Sequence, residues 1–287
     1  MSRVVPVVTV LAVIVGLWYL ACVPMNAQWT RDQAGRAGEV VSFGQVVAAS
    51  FDQERPVLPS PHQVAAEVWK TVFTTRVGSK KSLVYHAWIT LSATLLGFGI
   101  GSAAGILLAI GIVHNRAMDM SVMPWAIASQ TIPILAIAPM IIVVLNSVGI
   151  NGLVPKAIIS AYLSFFPVVV GLVKGLRSPD AMQMDLLRTY DAGAGATLWK
   201  LRLPASLPYL FASLKVGIAA SLVGAIVGEL PTGAVAGLGA RLLSGSYYGQ
   251  TVQIWAALFV AAAVAAGLVM IVGGIERGVL RRMGMRR

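Results

Sequence analysis

The sequence predicts an all-α integral membrane protein with six transmembrane helices. Three observations carry this: an apolar composition, uncharged runs long enough to cross a bilayer, and a lopsided placement of Lys and Arg beside those runs. Of 287 residues, 57% are hydrophobic and 11% charged, and the mean hydropathy is +0.79. A soluble domain carries about a quarter charged residues, and a hydrocarbon core of about 30 Å needs roughly 20 apolar helical residues. Uncharged runs cover 4–23, 87–113, 120–155, 157–173 and 242–275; a sixth, about 207–230, is interrupted by Lys215 and ends at Glu229. If the N-terminus is inside, the inner segments hold Arg3, Arg116, Lys174, Arg177, Arg188, Lys200, Arg202, Arg277, Arg281, Arg282, Arg286 and Arg287, while the short outer loops hold Lys156 and Arg241. Both termini are therefore expected in the cytoplasm.

Taken in order, residues 1–23 read as the first transmembrane helix. "YLAC" hints at a cleavage site, but the apolar run is longer than the core of a signal peptide, so a retained helix is expected. Residues 24–82 read as an extracytoplasmic loop carrying seven basic and five acidic side chains. Within it Ser60 as N-cap, Pro61 at the first helical position and Gln63 three residues on form a helix start. Val64, Val68, Trp69, Val72 and Phe73 follow at helical spacing, predicting an amphipathic helix on the outer membrane face or packed on the spans. Residues 26–56 show no strong period and are expected to be loop.

Residues 83–276 read as the core. Gly97, Gly101 and Gly105 stand four apart in the second span, where small residues let another helix approach. The stretch 120–155 places Gln130, Thr131, Pro133, Pro139 and Asn146 among apolar residues; a helix lining a path and a kinked packing helix both explain them. Glu229 is a carboxylate at a span end, where such groups face a cavity or a partner. Lys215 is too far along the helix to pair with it and is expected to reach for the cytoplasmic edge. Gln130, Thr131, Ser221 and Glu229 are the candidate path residues. Residues 178–204 form an inner segment, with a short helix capped by Ser178, Pro179 and Asp180, then a turn and a second helical stretch. Such a pair suits a groove in another protein. Residues 277–287 are a basic tail.

The net charge of +11 and pI near 10.2 come from positives spread along membrane edges, which points to lipid headgroups rather than nucleic acid. Cys22 is alone, so no internal disulfide is expected. The Gly-rich "GAGA" lacks the Gly-Lys pair of a phosphate loop. His62, His86 and His114 show no metalloenzyme spacing, so neither a catalytic nor a metal site is expected.

From Asp185 to Pro208, "DLLRTYDAGAGATLWKLRLPASLP" resembles the "EAA" loop of permease subunits of binding-protein-dependent ABC importers. Asp185 takes the place of the glutamate, Ala192 that of the alanine after the glycine, and Leu203-Pro204 that of the closing pair. Leu186 and Leu187 replace two alanines, and Asp191 stands where the family has glycine. "HAWITLSATLLGFGIG", "QTIPILAIAP", "SFFPVVVGLVKGL", "LPYLFASLKVGIAASLVGAIVGEL" and "GLGARL" look like the nitrate, sulfonate and taurine branch, which includes pyrimidine and thiamine-precursor carriers. The resemblance implies a type I importer permease fold with cytoplasmic coupling helices. It implies two ATPase subunits that bind ATP and Mg, a second permease chain, identical or homologous, and an extracytoplasmic substrate-binding protein. It assigns coupling to Asp185, Arg188, Tyr190, Asp191, Ala192, Gly193, Gly195, Leu203 and Pro204. A stand-alone carrier or channel, and a membrane-embedded enzyme, are the competing classes; the first would need coupling charges inside the membrane.

Overall fold

The computed structural model describes residues 4–38, 41–231 and 235–284. Arg3, Arg286 and Arg287, counted in the charge asymmetry, lie outside them. The described chain is helical: α1 Val4–Ala37, α2 Phe43–Ala49, α3 Pro61–Trp69, α4 Leu83–His114, α5 Arg116–Ser129, α6 Ile134–Ser147, α7 Leu153–Leu176, α8 Ala181–Thr189, α9 Ala194–Thr197, α10 Leu203–Glu229, α11 Leu238–Tyr247 and α12 Thr251–Arg282. Five helical stretches among the described residues are long and apolar enough to cross a membrane, and α5 with α6 form a bent pair that qualifies as one more. The chain divides into two compact units, residues 1–87 with 240–261, and residues 88–239 with 262–287.

In the first unit, α1 continues to Ala37, beyond the expected end at residue 23. Charge marks where a helix leaves apolar surroundings; it does not end the helix. The expected loop 26–56 therefore contains the end of α1, and also α2, which starts at a reciprocal cap: Ser42 N–H donates to Gln45 Oε1 at 2.8 Å and Gln45 N–H to Ser42 Oγ at 3.4 Å. Asn26 is fully buried. Its Nδ2 donates to the carbonyls of Ser50 and Leu58, both at 2.9 Å, and its Oδ1 accepts from the N–H of Val57 and Leu58 at 2.9 and 3.1 Å. All four hydrogen-bonding capacities of the amide are filled, which ties an irregular segment to α1. The start of α3 is as expected, with Pro61 in the first turn and Ser60 N–H donating to Gln63 Oε1. Val64 is buried while Trp69 and Phe73 are exposed and paired, ring centroids 4.7 Å apart.

The second unit is built on α7, with α4 and an antiparallel α10 beside it. A Cβ on Gly97 would fall 2.2 Å from Ser160 Cβ, one on Gly101 2.2 Å from Ser164 Oγ, and one on Gly105 2.9 Å from the Phe165 carbonyl. The four-residue glycine spacing is thus the face that α4 lays on α7. A Cβ on Gly224 would fall 2.7 Å from the Ser160 Cα, and Gly171 and Gly175 admit Ser213 and Ser206 of α10. Ser160 Oγ donates to the Ser221 carbonyl at 2.5 Å and Ser221 Oγ to the Thr94 carbonyl at 2.9 Å, so hydroxyls cross-link the three helices where the backbones are closest.

Three expected spans differ in shape. The run 120–155 is not one helix: α5 and α6 meet at 98°. Pro133 has no N–H and disfavours helix at the residue before it, so the chain turns at Gln130–Ile132. Lys156, expected in a loop, lies in the first turn of α7, because the uncharged run was cut by a charge that the fold buries. The run 242–275 begins inside α11, and Gly249, at φ +63, turns the chain before α12; Arg241 is accordingly helical. Lys215 is held by Glu276 of α12 at 2.5 Å.

Gly101→Val forces α4 off α7 and is expected to destabilise the protein by about 1–3 kcal/mol. Gly99→Val, which meets nothing within 4 Å, leaves stability nearly unchanged. Thermal melts of both variants in detergent measure the difference.

Candidate functional site

Two constellations occupy opposite ends of the α7–α10 pair. The first is residues 178–204, between the C-terminus of α7 and the N-terminus of α10. Ser178 Oγ donates back to the Gly175 carbonyl at 2.7 Å, so it completes α7 and does not cap α8. The cap is Asp180, whose N–H donates to Gln183 Oε1 at 3.3 Å. Asp185 and Arg188 pair at 3.1 Å on an exposed face, an arrangement that contributes little to stability.

α8 ends at Asp191, which has φ +48 and is the one non-glycine residue with positive φ among those described. Its N–H donates to the Arg188 carbonyl and the N–H of Ala192 to the Leu187 carbonyl, both at 2.9 Å. This bond pair is the Schellman closure of a helix, made with aspartate at the position glycine usually takes. Gly193 and Gly195 need no glycine by space, since a Cβ on either meets nothing within 4 Å. Gly193, at φ −63 and ψ 165, serves as N-cap of α9.

Past α9 the helix does not stop. A wide π-turn over Leu198–Arg202 carries it into α10, giving one helical stretch Ala194–Glu229 of 36 residues. Pro204 lacks an N–H for the usual bond four residues back, and a π-bulge is one way a helix absorbs such a defect. Leu203-Pro204 are therefore the root of a span rather than a second turn. Leu198 and Leu203 pack on a cluster of Ile112, Leu172, Val173 and Leu176, and Arg177 pairs with Asp119 of α5 at 2.9 Å. Above this fixed base, Met182 (83%), Leu186 (57%), Tyr190 (77%) and Trp199 (72%) stand exposed.

The second constellation lies at the other end. Glu229 is fully buried. Thr90 Oγ lies 3.0 and 2.9 Å from its carboxylate oxygens, Gly239 N–H donates to Oε2 at 2.9 Å, and Lys156 Nζ is 3.7 Å from Oε1. Thr90 also accepts from Leu238 N–H at 2.8 Å, and Lys156 donates to the Ala236 carbonyl at 3.2 Å. Gly237 has φ +128, and a Cβ there would sit 2.1 Å from the Glu229 Cδ. Buried charge is tolerated when paired and hydrogen-bonded, and here the pair joins α4, α7 and α10 to the chain entering α11. Beside it is a cavity of about 460 Å³ whose wall includes Ile89, Ser92, Ile142, Asn146, Leu153 and Lys156.

Of the residues singled out for a path, Gln130 and Thr131 stand exposed at the α5–α6 bend. Ser221 is buried with its hydroxyl committed to Thr94, and Glu229 is committed to the ion pair. Sequence reasoning missed Thr90 and Lys156 as partners of Glu229. Lys156 was visible as the single charge between two uncharged runs. Among the described residues no three His, Cys, Asp or Glu side chains gather to hold a metal.

The chain belongs to the family described as binding-protein-dependent transport system inner membrane component, whose model matches residues 101–285; these are non-catalytic membrane subunits of ABC importers. It is 31% identical over 225 residues to the riboflavin transport system permease protein RibX of Chloroflexus aurantiacus, covering 78% of this chain and 80% of the relative. It is 30% identical over 183 residues to the formylaminopyrimidine transport permease protein ThiX of Halalkalibacterium halodurans, covering 64% and 68%. The putative aliphatic sulfonates transport permease protein SsuC of Bacillus subtilis is 23% identical over 225 residues, 78% of each chain.

Lys156→Met leaves a buried carboxylate without its cation and is expected to cost about 3–5 kcal/mol, while Lys156→Met with Glu229→Gln recovers most of that loss in the same melts. Asp191→Gly relieves the positive φ and is expected to be neutral or to stabilise by up to about 1 kcal/mol, read by the same method.

Proposed function

We propose that this chain forms the translocation path for a small solute in an ATP-driven importer and couples that path to a separate ATPase through residues 185–204. The observation that carries the reading is the exposure of Met182, Leu186, Tyr190 and Trp199 on a segment whose base is rooted in α7 and α10. An apolar anchor set on a rigid element is what a groove in a partner recognises. Asp185, Arg188, Tyr190, Asp191, Ala192, Gly193 and Gly195 form the projecting part of this contact, and Leu203 and Pro204 its hinge to the span.

On this reading both termini are cytoplasmic and residues 24–82 face outward. Two ATP-binding cassette subunits hold ATP and Mg, and a second permease chain completes the path. A soluble extracytoplasmic protein delivers the solute. Gln130 and Thr131 line the path at the α5–α6 bend, while Ser221 and Glu229 hold the helices that frame it. The solute of this reading is a small sulfonate, nitrate, taurine or pyrimidine-like compound; relatives named for formylaminopyrimidine, aliphatic sulfonates and nitrate support a small solute of this kind.

The test is ATP hydrolysis by the reconstituted transporter in response to loaded binding protein. Gly193 at φ −63 admits proline, whereas Asp191 at φ +48 does not, so Asp191→Pro is the disrupting variant. Stimulated hydrolysis is expected to fall about tenfold or more in Asp191→Pro and in Tyr190→Ala with Trp199→Ala, an interface loss of about 1.4 kcal/mol or more. Undiminished stimulation in both would refute the coupling role.

A further inference from the structure

The seven basic side chains of residues 24–82 are not spread evenly. Lys70, Arg76, Lys80 and Lys81 gather at its end, and all five acidic side chains lie before them, the last at Glu67. No further carboxylate follows until Asp119. Charges that mix elsewhere in the segment are thus sorted where the chain enters α4, a helix long and apolar enough to cross a membrane. All four cations are exposed, and none forms an ion pair among the described residues.

The turn that carries three of them is pinned. Beyond α3 the helix runs through a π-turn, Lys70–Thr74, closed by the Thr75 N–H donating to the Lys70 carbonyl at 2.9 Å. Ser79 N–H donates to the Arg76 carbonyl and Ser82 N–H to the Ser79 carbonyl, both at 2.9 Å. The Ser82 hydroxyl donates back to the Thr71 carbonyl at 3.3 Å, and His86 Nε2, in the first turn of α4, lies 2.9 Å from the Lys80 carbonyl. Ser82 and Leu83 are buried, so the backbone is held while the cations project. On the same stretch Val64 and Thr71 are buried, whereas Trp69, Phe73 and Val77 stand 63%, 67% and 60% exposed. An exposed aromatic pair a few residues ahead of a span, bordered by cations, is the pattern of a membrane–water interface, where rings sit among headgroups.

We propose that residues 69–81 form a site for an anionic phospholipid at the bilayer surface where α4 enters: the headgroup phosphate lies among Arg76, Lys80 and Lys81, and Trp69 and Phe73 lie on the upper part of the acyl chains. A zwitterionic lipid offers the aromatic pair the same apolar contact but brings its own cation to the three already present, so the sorted charge selects the anionic headgroup. An acidic face of a soluble protein would meet the same cations; the exposed aromatics and the adjoining span favour lipid. The proposal needs only that the chain crosses a membrane and stands apart from the coupling role.

The full chain is placed in nanodiscs of phosphatidylcholine carrying the same small fraction of photoreactive phosphatidylglycerol or photoreactive phosphatidylcholine, irradiated, and the labelled peptides are mapped by mass spectrometry. Labelling of residues 69–81 is expected to be about tenfold or more greater with phosphatidylglycerol. The excess is expected to vanish in Arg76→Gln with Lys80→Gln and Lys81→Gln, and to persist in Lys80→Arg with Lys81→Arg. Labelling by both lipids is expected to fall in Trp69→Ala with Phe73→Ala. All these side chains are exposed, so thermal melts of the variants stay close to the parent and the loss of label reports the site. Equal labelling by the two lipids, or an excess that survives removal of the three cations, overturns the proposal. So does absence of labelling by either lipid; protection of the stretch from hydrogen exchange when the soluble binding protein is added then assigns the cations to a protein partner.

Discussion

The close approach of α10 to α7, with α4 on the same helix, is the constraint on which the second unit depends. In lipid, helices gain little from leaving an apolar solvent, so their association rests on packing and interhelical hydrogen bonds. Glycine and serine meet at several of the closest approaches: Gly97 at Ser160, Gly101 at Ser164, Gly224 at Ser160 and Gly175 at Ser206. The helix pair is closely packed along much of its length. α7 has 24 residues, about 36 Å at 1.5 Å per residue, and it carries the base of residues 178–204 at one end and Lys156 at the other.

Much of this was legible in the sequence where a local pattern has one physical meaning. The glycines of α4 repeat at four because that spacing makes a flat helix face, and Ser60-Pro61 with Gln63 marks a helix start because each fills a definite role in the first turn. The loop 185–204 was legible through its family pattern. Its mechanics were not, since the pattern does not say that the closing Leu203-Pro204 runs through a π-turn into a span. Gly193 and Gly195 take no left-handed conformation, and the positive φ falls on Asp191, where the family has glycine.

What could not be read has a common cause: it depends on residues that meet only after folding. Glu229 and Lys156 were both visible, one as a span-end carboxylate and one as a loop cation, and nothing local joins them. The run 120–155 is uncharged whether straight or bent by 98°, so composition is silent on the bend even though Pro133 marks its place. The cap at Ser42 and Gln45 obeys the same rule as that at Ser60, but weak periodicity around it hid a helix of seven residues.

The distribution of satisfied and unsatisfied surface separates the work of this chain from that of its surroundings. Two ion pairs lie within the spans among the described residues: Lys156 with Glu229 and Lys215 with Glu276. Such pairs tie α7 to α10 and α10 to α12. A carrier driven by protons or sodium needs intramembrane charges that change partners during transport. Glu229, hemmed by Thr90, Gly239 and the absence of a side chain at Gly237, is built to keep its partners. Between α7 and α10, Met182, Leu186, Tyr190 and Trp199 are exposed on a segment that contributes little to the packed interior.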